Sequence, residues 1–338
     1  MSDIIARLAV AALPPRLQPD WCGDARLSPE PPVAVLIPCY NEEATIGTVI
    51  ADFHASLPRA LIYVYDNNSE DRTTVVARAA GAVVRQEPLQ GKGHVVRRMF
   101  ADIEADMYLL VDGDDTYDAA AAPTMLRLLA TQQLDMVTAA RVSSQERAYP
   151  PGHRVGNALL SAMVRGVFGG RISDVLSGYR AFSRRFVKTF PALSGGFEIE
   201  TEFTVHALEM EMPIAEIAAR YRERPAGSKS KLHTWSDGLR ILRIMFVLVK
   251  EGRPLQFFAA TGSVSLLAAL AIGAPVVAEF LRTGLVPRLP SAVLATGLVL
   301  LSSLTWVCGM VLDSVERGRK EIKRLAYLAF PAAPPADV

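Results

Sequence analysis

Four aspartates crowd into one glycine-containing turn in the stretch 108–118, YLLVDGDDTYD. The apolar run before them is short enough for a buried strand. It stops where Gly113 permits a turn, so the carboxylates fall at the strand's C-terminal edge, where open α/β sheets bind ligands. Like charges this close are costly unless something positive lies between them. Asp112 and Asp114, two residues apart, can turn oxygens toward one hard cation, with Asp115 and Asp118 close behind. The other reading of the same stretch is a solvated acidic turn capping the helix that starts at Ala119.

The same arrangement recurs upstream. Residues 33–38 (VAVLIP) read as a buried strand, followed by Cys39-Tyr40-Asn41-Glu42-Glu43 and a helix to about Leu57, with Asn41 or Thr45 available as caps. Residues 61–65 (LIYVY) are a second strand, ending in Asp66-Asn67-Asn68-Ser69-Glu70-Asp71 before a helix to Ala80. A third short strand at 82–85 leads to Gly91-Lys92-Gly93 and a helix to about Ile103. Strands alternating with helices of this length predict an α/β domain built on a mostly parallel, doubly wound sheet, with helices on both faces. The acidic and amide groups then share one sheet edge. Glycines beside Lys92 can let backbone N–H groups and an ammonium approach a polyanion, or can simply form a turn. Asp66 and Asp71 can accept hydrogen bonds from a nucleobase or ribose, while Ser69 or Asp71 can equally cap the next helix.

With 338 residues, half of them apolar, and a net charge of +1, the chain can bury a large core, and its charge gives no indication of nucleic acid. Cys22, Cys39 and Cys308 are odd in number and far apart, which argues against a disulfide framework and a zinc site.

In this order and spacing, PCYNEE, DNNSEDRT, GKG and DGDD resemble the inverting family 2 glycosyltransferases of the GT-A fold, over roughly residues 33–232. The resemblance implies that Pro38, Tyr40, Glu42, Asp66 and Asp71 contact the nucleoside of a UDP- or GDP-sugar, with Asn41, Asn67, Lys92 and Gly113 in the donor site. Asp112 and Asp114 would hold Mg²⁺ or Mn²⁺ on the diphosphate, as both metal ligands and catalytic residues. Asp115-Thr116 departs from the Leu-Gln of the branch that makes polyprenol-linked sugars.

Residues 135–141 (DMVTAAR) read as a further strand, and Arg141 stands where the family commonly faces the acceptor phosphate. The segment 174–180, DVLSGYR, resembles the D-x-x-S-G-[FY]-R element of the polyprenyl-phosphate branch. By that likeness Asp174 orients the reacting groups, and Ser177 and Arg180 meet an anionic acceptor; a plain Asp174–Arg180 salt bridge is the alternative. Residues 197–202 (FEIETE) lie where transferases with hydroxyl acceptors place a base. A lipid phosphate is already ionised and needs no strong base, which leaves Glu200 to position a Lys or Arg, or the segment to be an ordinary helix. An edge strand at 214–221 delivers a basic loop, from Arg222 through Ser230 and Lys231, that resembles the family's P-x-G-x-S-K element and can neutralise a phosphate.

Residues 233–254 are expected to form an interfacial amphipathic helix. Residues 255–278 and 289–312 contain no charged residue, and each is long enough to cross a bilayer. Their Gly, Ala and Ser content suits close helix contacts, including those of a homo-oligomer. Lys250 and Arg253 precede the first run, and Arg317, Arg319, Lys320, Lys323 and Arg324 follow the second. The positive-inside rule therefore puts residues 33–232 and the basic tail, 313–338, on the cytoplasmic side of the inner membrane. Residues 1–32 read as an extension with a Pro-rich linker. The expected activity is sugar transfer to a polyprenyl phosphate, the alternatives being a hydroxyl acceptor (glycolipid or polysaccharide) or a non-catalytic nucleotide-sugar-binding membrane protein.

Overall fold

The computed structural model describes residues 33–142, 153–169, 172–196, 198–222, 246–247, 250 and 252–332. The expectations for residues 1–32, the polar loop 143–152, the basic loop beyond Arg222 with Ser230 and Lys231, and most of the helix 233–250 lie outside the described residues.

Short apolar runs become strands because they are buried on both faces: β1 (Val33–Cys39), β2 (Leu61–Asp66) and β4 (Met107–Leu110), with the more exposed β3 (Val83–Gln86) beside β2. Between them lie α1 (Ile46–Ser56), α2 (Thr73–Ala79) and α3 (Lys92–Asp102). Helix α1 buries Ile46, Val49, Ile50 and Phe53, the i, i+3, i+4, i+7 stripe of an amphipathic helix. Thr45 precedes α1 without capping it; its hydroxyl donates to the Gly113 carbonyl at 2.7 Å and ties α1 to the acidic turn.

The chain continues through α4 (Ala122–Thr131), β5 (Met136–Val142), α5 (His153–Phe168), β6 (Arg180–Ser183), α6 (Arg184–Thr189), α7 (Ile199–Glu209) and β7 (Ile214–Arg220). The seven strands stand in the order β3-β2-β1-β4-β6-β5-β7. All pairings are parallel except those of β6, which runs antiparallel between β4 and β5. Strand β6 is the element the sequence reading missed. Its four residues are all buried, so no polar alternation marks it, and it opens on an arginine. Strand order reverses between β1 and β4, and the loops after β1, β2 and β4 open on the carboxyl edge at this switch point.

Two long apolar helices follow, α8 (Pro254–Thr283) and α9 (Leu289–Leu328), with mean hydropathy of 2.1 and 1.8 in their apolar windows. Each is long and apolar enough to cross a membrane, and only 11% and 17% of those windows are buried within the protein. They meet closely: Ser302 Oγ donates to the Gly262 carbonyl at 2.8 Å, and a side chain at Gly262 would overlap the Trp306 ring. The residues after Leu312 are not a separate tail. They prolong α9 to Leu328 and pack on the sheet domain. Lys323 pairs with Glu209 at 2.8 Å, Arg324 with Glu211 at 3.4 Å, and Tyr327 donates to Asp135 at 2.7 Å. Asp135 is fully buried, also accepts from Ser183 and Arg185, and Arg185 lies over the Tyr327 ring.

Losing the Tyr327 hydroxyl removes one hydrogen bond to a buried carboxylate, whereas losing Asp135 strands Arg185. Tyr327→Phe is expected to destabilise the docked end of α9 by about 1–3 kcal/mol, and Asp135→Ala to cost roughly 3–5 kcal/mol. Denaturant unfolding in detergent measures both, with early proteolysis near residue 313 as the local readout.

Candidate functional site

The turns on the carboxyl edge line a cavity of about 1360 Å³ that contains Pro38, Tyr40, Glu42, Asn67, Lys92, Asp112, Gly113 and Asp114. Its centre is an ion cluster. The Lys92 ammonium donates to Asp112 Oδ1 and, at 2.6 Å, to Glu200 Oε1 on α7. Lys92 and Glu200 are almost fully buried, and the Asp112 side chain keeps 30% exposure. Burial alone pulls an ammonium toward neutrality, but the two carboxylates outweigh it and hold Lys92 protonated. Burial pushes Glu200 up, with Lys92 opposing.

Asp114 is 5% exposed and is oriented by Thr116, whose hydroxyl donates to its Oδ1 at 2.6 Å and whose N–H donates at 3.3 Å. Thr116 thus has a structural task that the sequence left unassigned. Asp115 takes the strained backbone of the turn, with φ of 56°. Gly113 serves close approach, since a Cβ there would lie 2.8 Å from Cys39 Sγ. Asp118 caps the next turn, accepting from Ala120 N at 3.1 Å, so the capping reading of the stretch applies to this aspartate. No group of three or more His, Cys, Asp or Glu among the described residues could hold a metal unaided. Two carboxylates bordering an open cavity do fit a hard cation that completes its shell with water and substrate phosphates.

Glycines flank Lys92 for a reason other than phosphate contact. A side chain at Gly91 would overlap the Gly195 carbonyl and one at Gly93 the Ser194 carbonyl, so segment 194–196 can lie directly on the loop. Glu202 fixes that segment by accepting from Leu193 N and Ser194 N, both at 2.8 Å. Sequence reasoning missed Glu202 in this task, and it missed Gly178, where a Cβ would overlap Asp112 Oδ2.

The donor residues divide. Asn67 lines the cavity but spends its amide on loop architecture, donating to Glu87 and Leu89 carbonyls and accepting from Gly91 N at 2.7 Å. Asn41, Asp66 and Asp71 are not among the residues lining the cavity. Asn41 accepts from Glu70 N at 2.8 Å. Asp71 accepts from Thr73 and, at 3.2 Å, from Glu43 N. Burial pushes Asp71 up, but these bonds prevail and hold it below the usual carboxylate range. Asp66 is 1% exposed; its Oδ2 accepts from Ser69 N and its Oδ1 has no partner.

On the acceptor side, Asp174 pairs with Arg141 rather than Arg180, through bonds of 2.7 and 2.8 Å to the guanidinium, and Asn157 adds a third at 2.9 Å. Burial raises Asp174, yet Arg141 outweighs it and holds the carboxyl low. Arg180 is a correction. It is fully buried, and its guanidinium donates to Val175 and Ser177 carbonyls and Thr204 Oγ1, so it braces the 174–180 turn and meets no acceptor. Burial pulls it down to about 10. Ser177 is likewise fully buried and bonded to the Ala139 carbonyl at 2.6 Å. Arg222 stands 3.7 Å from Asp118, beside the acidic turn.

The profile described as Glycosyl transferase family 2 matches residues 34–190. Protein RfbJ of Shigella flexneri is 56% identical over 36% of this chain and 95% of its own length. Glycosyltransferase AglJ of Haloferax volcanii is 32% identical over 88% of this chain and 98% of its own. A dolichyl-phosphate hexose transferase of the same organism is 29% identical over 65% of this chain and 95% of its own. Among solved structures, the Mycobacterium tuberculosis glucosyl-3-phosphoglycerate synthase shares the fold, with a TM-score of 0.52 and 22% identity over 66% of this chain and 81% of that one.

His206 gives a pH prediction. It is buried on α7, with no hydrogen bond to either ring nitrogen, and burial, aided by Lys323, lowers it to about 4. A depressed histidine contributes stability that is complete above the unfolded value near 6.5 and is lost as pH falls toward 4. His206→Phe is expected to flatten that acid limb by up to about 3 kcal/mol, read from unfolding curves at stepped pH.

Proposed function

This chain belongs to glycosyl transferase family 2 and is a glycosyltransferase, and from that premise we propose that it transfers a hexose-type sugar from a UDP- or GDP-sugar to a polyprenyl phosphate, with inversion. The observation that carries the choice of acceptor is the occupation of the glutamates on α7. Glu200 is committed to Lys92, and Glu202 to the backbone of Leu193 and Ser194. A hydroxyl acceptor needs a base to take its proton; a phosphate oxygen is ionised at neutral pH and does not. The likeness to a dolichyl-phosphate hexose transferase and the two apolar helices support the same acceptor.

On this reading, Pro38, Tyr40, Glu42 and Asn67 bound the nucleotide end of the cavity. Asp112 and Asp114 would hold Mg²⁺ or Mn²⁺, whose charge offsets that of the departing diphosphate. Lys92 keeps a fixed positive charge next to the same oxygens without having to reorganise, which is the form of electrostatic preorganisation that lowers barriers most. Arg141, held by Asp174, and Arg222, at the acidic turn, are the cations assigned to the acceptor phosphate, with Ser230 and Lys231 on the following loop. The positive-inside pattern supports a reaction on the cytoplasmic face, where soluble sugar nucleotides are found. No nucleic acid enters the scheme.

Purified protein incubated with a panel of sugar nucleotides, Mn²⁺ and polyprenyl phosphate is expected to give a glycosylated lipid phosphate, identified by mass. Asp114→Ala is expected to lower turnover roughly a hundredfold to a thousandfold while leaving membrane insertion intact. Sugar appearing on diacylglycerol or ceramide hydroxyls instead, or full turnover in chelator, contradicts the proposal.

A further inference from the structure

The cavity that begins at Asp112 and Asp114 continues past the donor loops. It follows α7, where Thr201, Val205 and Glu209 recur every four residues on one face, to Glu316, Arg319 and Lys323 on the part of α9 beyond its apolar run. At about 1.5 Å per residue, this second lobe starts roughly 6 Å beyond Leu312 and ends roughly 16 Å beyond it. A stretch of helix that leaves the bilayer is therefore one wall of the reaction chamber. The wall is held in place by the Lys323–Glu209 pair and by Tyr327 on buried Asp135.

The lining sets the chemistry of an occupant. Apolar Phe168, Val205 and Ile322 face the same space as Arg319 and Lys323, which pair with Glu316 and Glu209. Thr201 and His206, 2% and 3% exposed, line this space, and among the described residues Thr201 Oγ1 and both His206 ring nitrogens find no hydrogen-bond partner. Polar atoms so buried ordinarily have a partner. Thr201 directly follows Glu200, the residue bonded to Lys92, and so marks the end nearest the reacting groups.

Building on the acceptor assigned above, we propose that the lobe between α7 and the cytosolic end of α9 is the berth of the polyprenyl phosphate. The phosphate lies past Thr201, toward the acidic turn and the cations assigned to it above, the first isoprene units pack against Val205, Phe168 and Ile322, and the chain leaves toward the bilayer where the apolar run of α9 ends at Leu312. Ile322 is then a specificity-determining residue for the lipid, although it is remote from every family motif.

The test uses full-length protein in lipid nanodiscs, with a long polyprenyl phosphate, a ten-carbon isoprenyl phosphate and a diazirine-bearing polyprenyl phosphate. Ile322 is 70% exposed, so Ile322→Trp leaves the fold intact while filling the lobe. The variant is expected to lose about tenfold or more in kcat/KM for the long acceptor, to lose less for the ten-carbon one, and to keep its KM for the sugar nucleotide. The photoprobe is expected to label peptides of α7 and of α9 beyond Leu312. Wild-type kinetics in Ile322→Trp, or labelling confined to the apolar runs of α8 and α9, overturns this berth and leaves the proposed reaction standing. A wild-type protein that transfers sugar to no polyprenyl phosphate overturns the reaction, and the berth with it.

Discussion

One buried ammonium sets the terms for the rest of the site. Lys92 sits between Asp112, at the end of β4, and Glu200, on α7. Removing three charges from water is costly unless their geometry is tight, and the backbone around them is shaped to make it so. Glycine is required at 91 and 93 because segment 194–196 closes over the lysine, and at 178 because the next turn backs directly onto Asp112. Glu202 holds segment 194–196 down. The ion cluster thus welds the half of the sheet that carries the acidic loops to the helix that carries the far side of the cavity.

The same logic gives the DVLSGYR segment a different meaning from the one its likeness suggested. Arg180 opens an antiparallel strand wedged between β4 and β5, and its guanidinium holds the Val175 and Ser177 carbonyls. The turn so braced presents Gly178 to Asp112, with Gly178 N donating to the Tyr117 hydroxyl at 3.0 Å. Its arginine contributes by architecture, and Asp174 at the head of the motif is itself buried and locked to Arg141.

Strands, crossover helices and the convergence of the acidic loops were legible because they are written in local patterns: apolar runs of four to seven residues ending in turn chemistry. What escaped was decided by distant partners. Glu200 is 108 residues from Lys92, and a glutamate on a helix reads as a base, a salt-bridge partner or a surface residue until that partner is known. Asn41 and Asp71 look like ligand groups in sequence, yet backbone N–H groups hold them: Glu70 N, 29 residues on, for Asn41, and Thr73 N and Glu43 N for Asp71. Strand β6 lacked any alternation to read, and the part of α9 beyond Leu312 read as a basic tail because its pairing residues, Asp135, Glu209 and Glu211, lie more than a hundred residues away in the chain.

That last misreading changes how the membrane and the sheet domain relate. A flexible basic tail would hold the domain near anionic lipid by diffuse attraction, screened within a Debye length. A continuous helix does something stricter. Lys320, Lys323 and Arg324 are turned onto Glu209 and Glu211, so their charge is spent on the protein rather than on lipid headgroups. Exposed pairs of this kind are individually weak; the buried contact of Tyr327 with Asp135, stacked under Arg185, supplies the definite register. On the proposed reading, with α9 continuous through Leu328, the height of Asp112 above a bilayer would be set by helix rise rather than by loop length, and a centre meeting a membrane-held substrate needs a fixed height more than it needs strong adhesion.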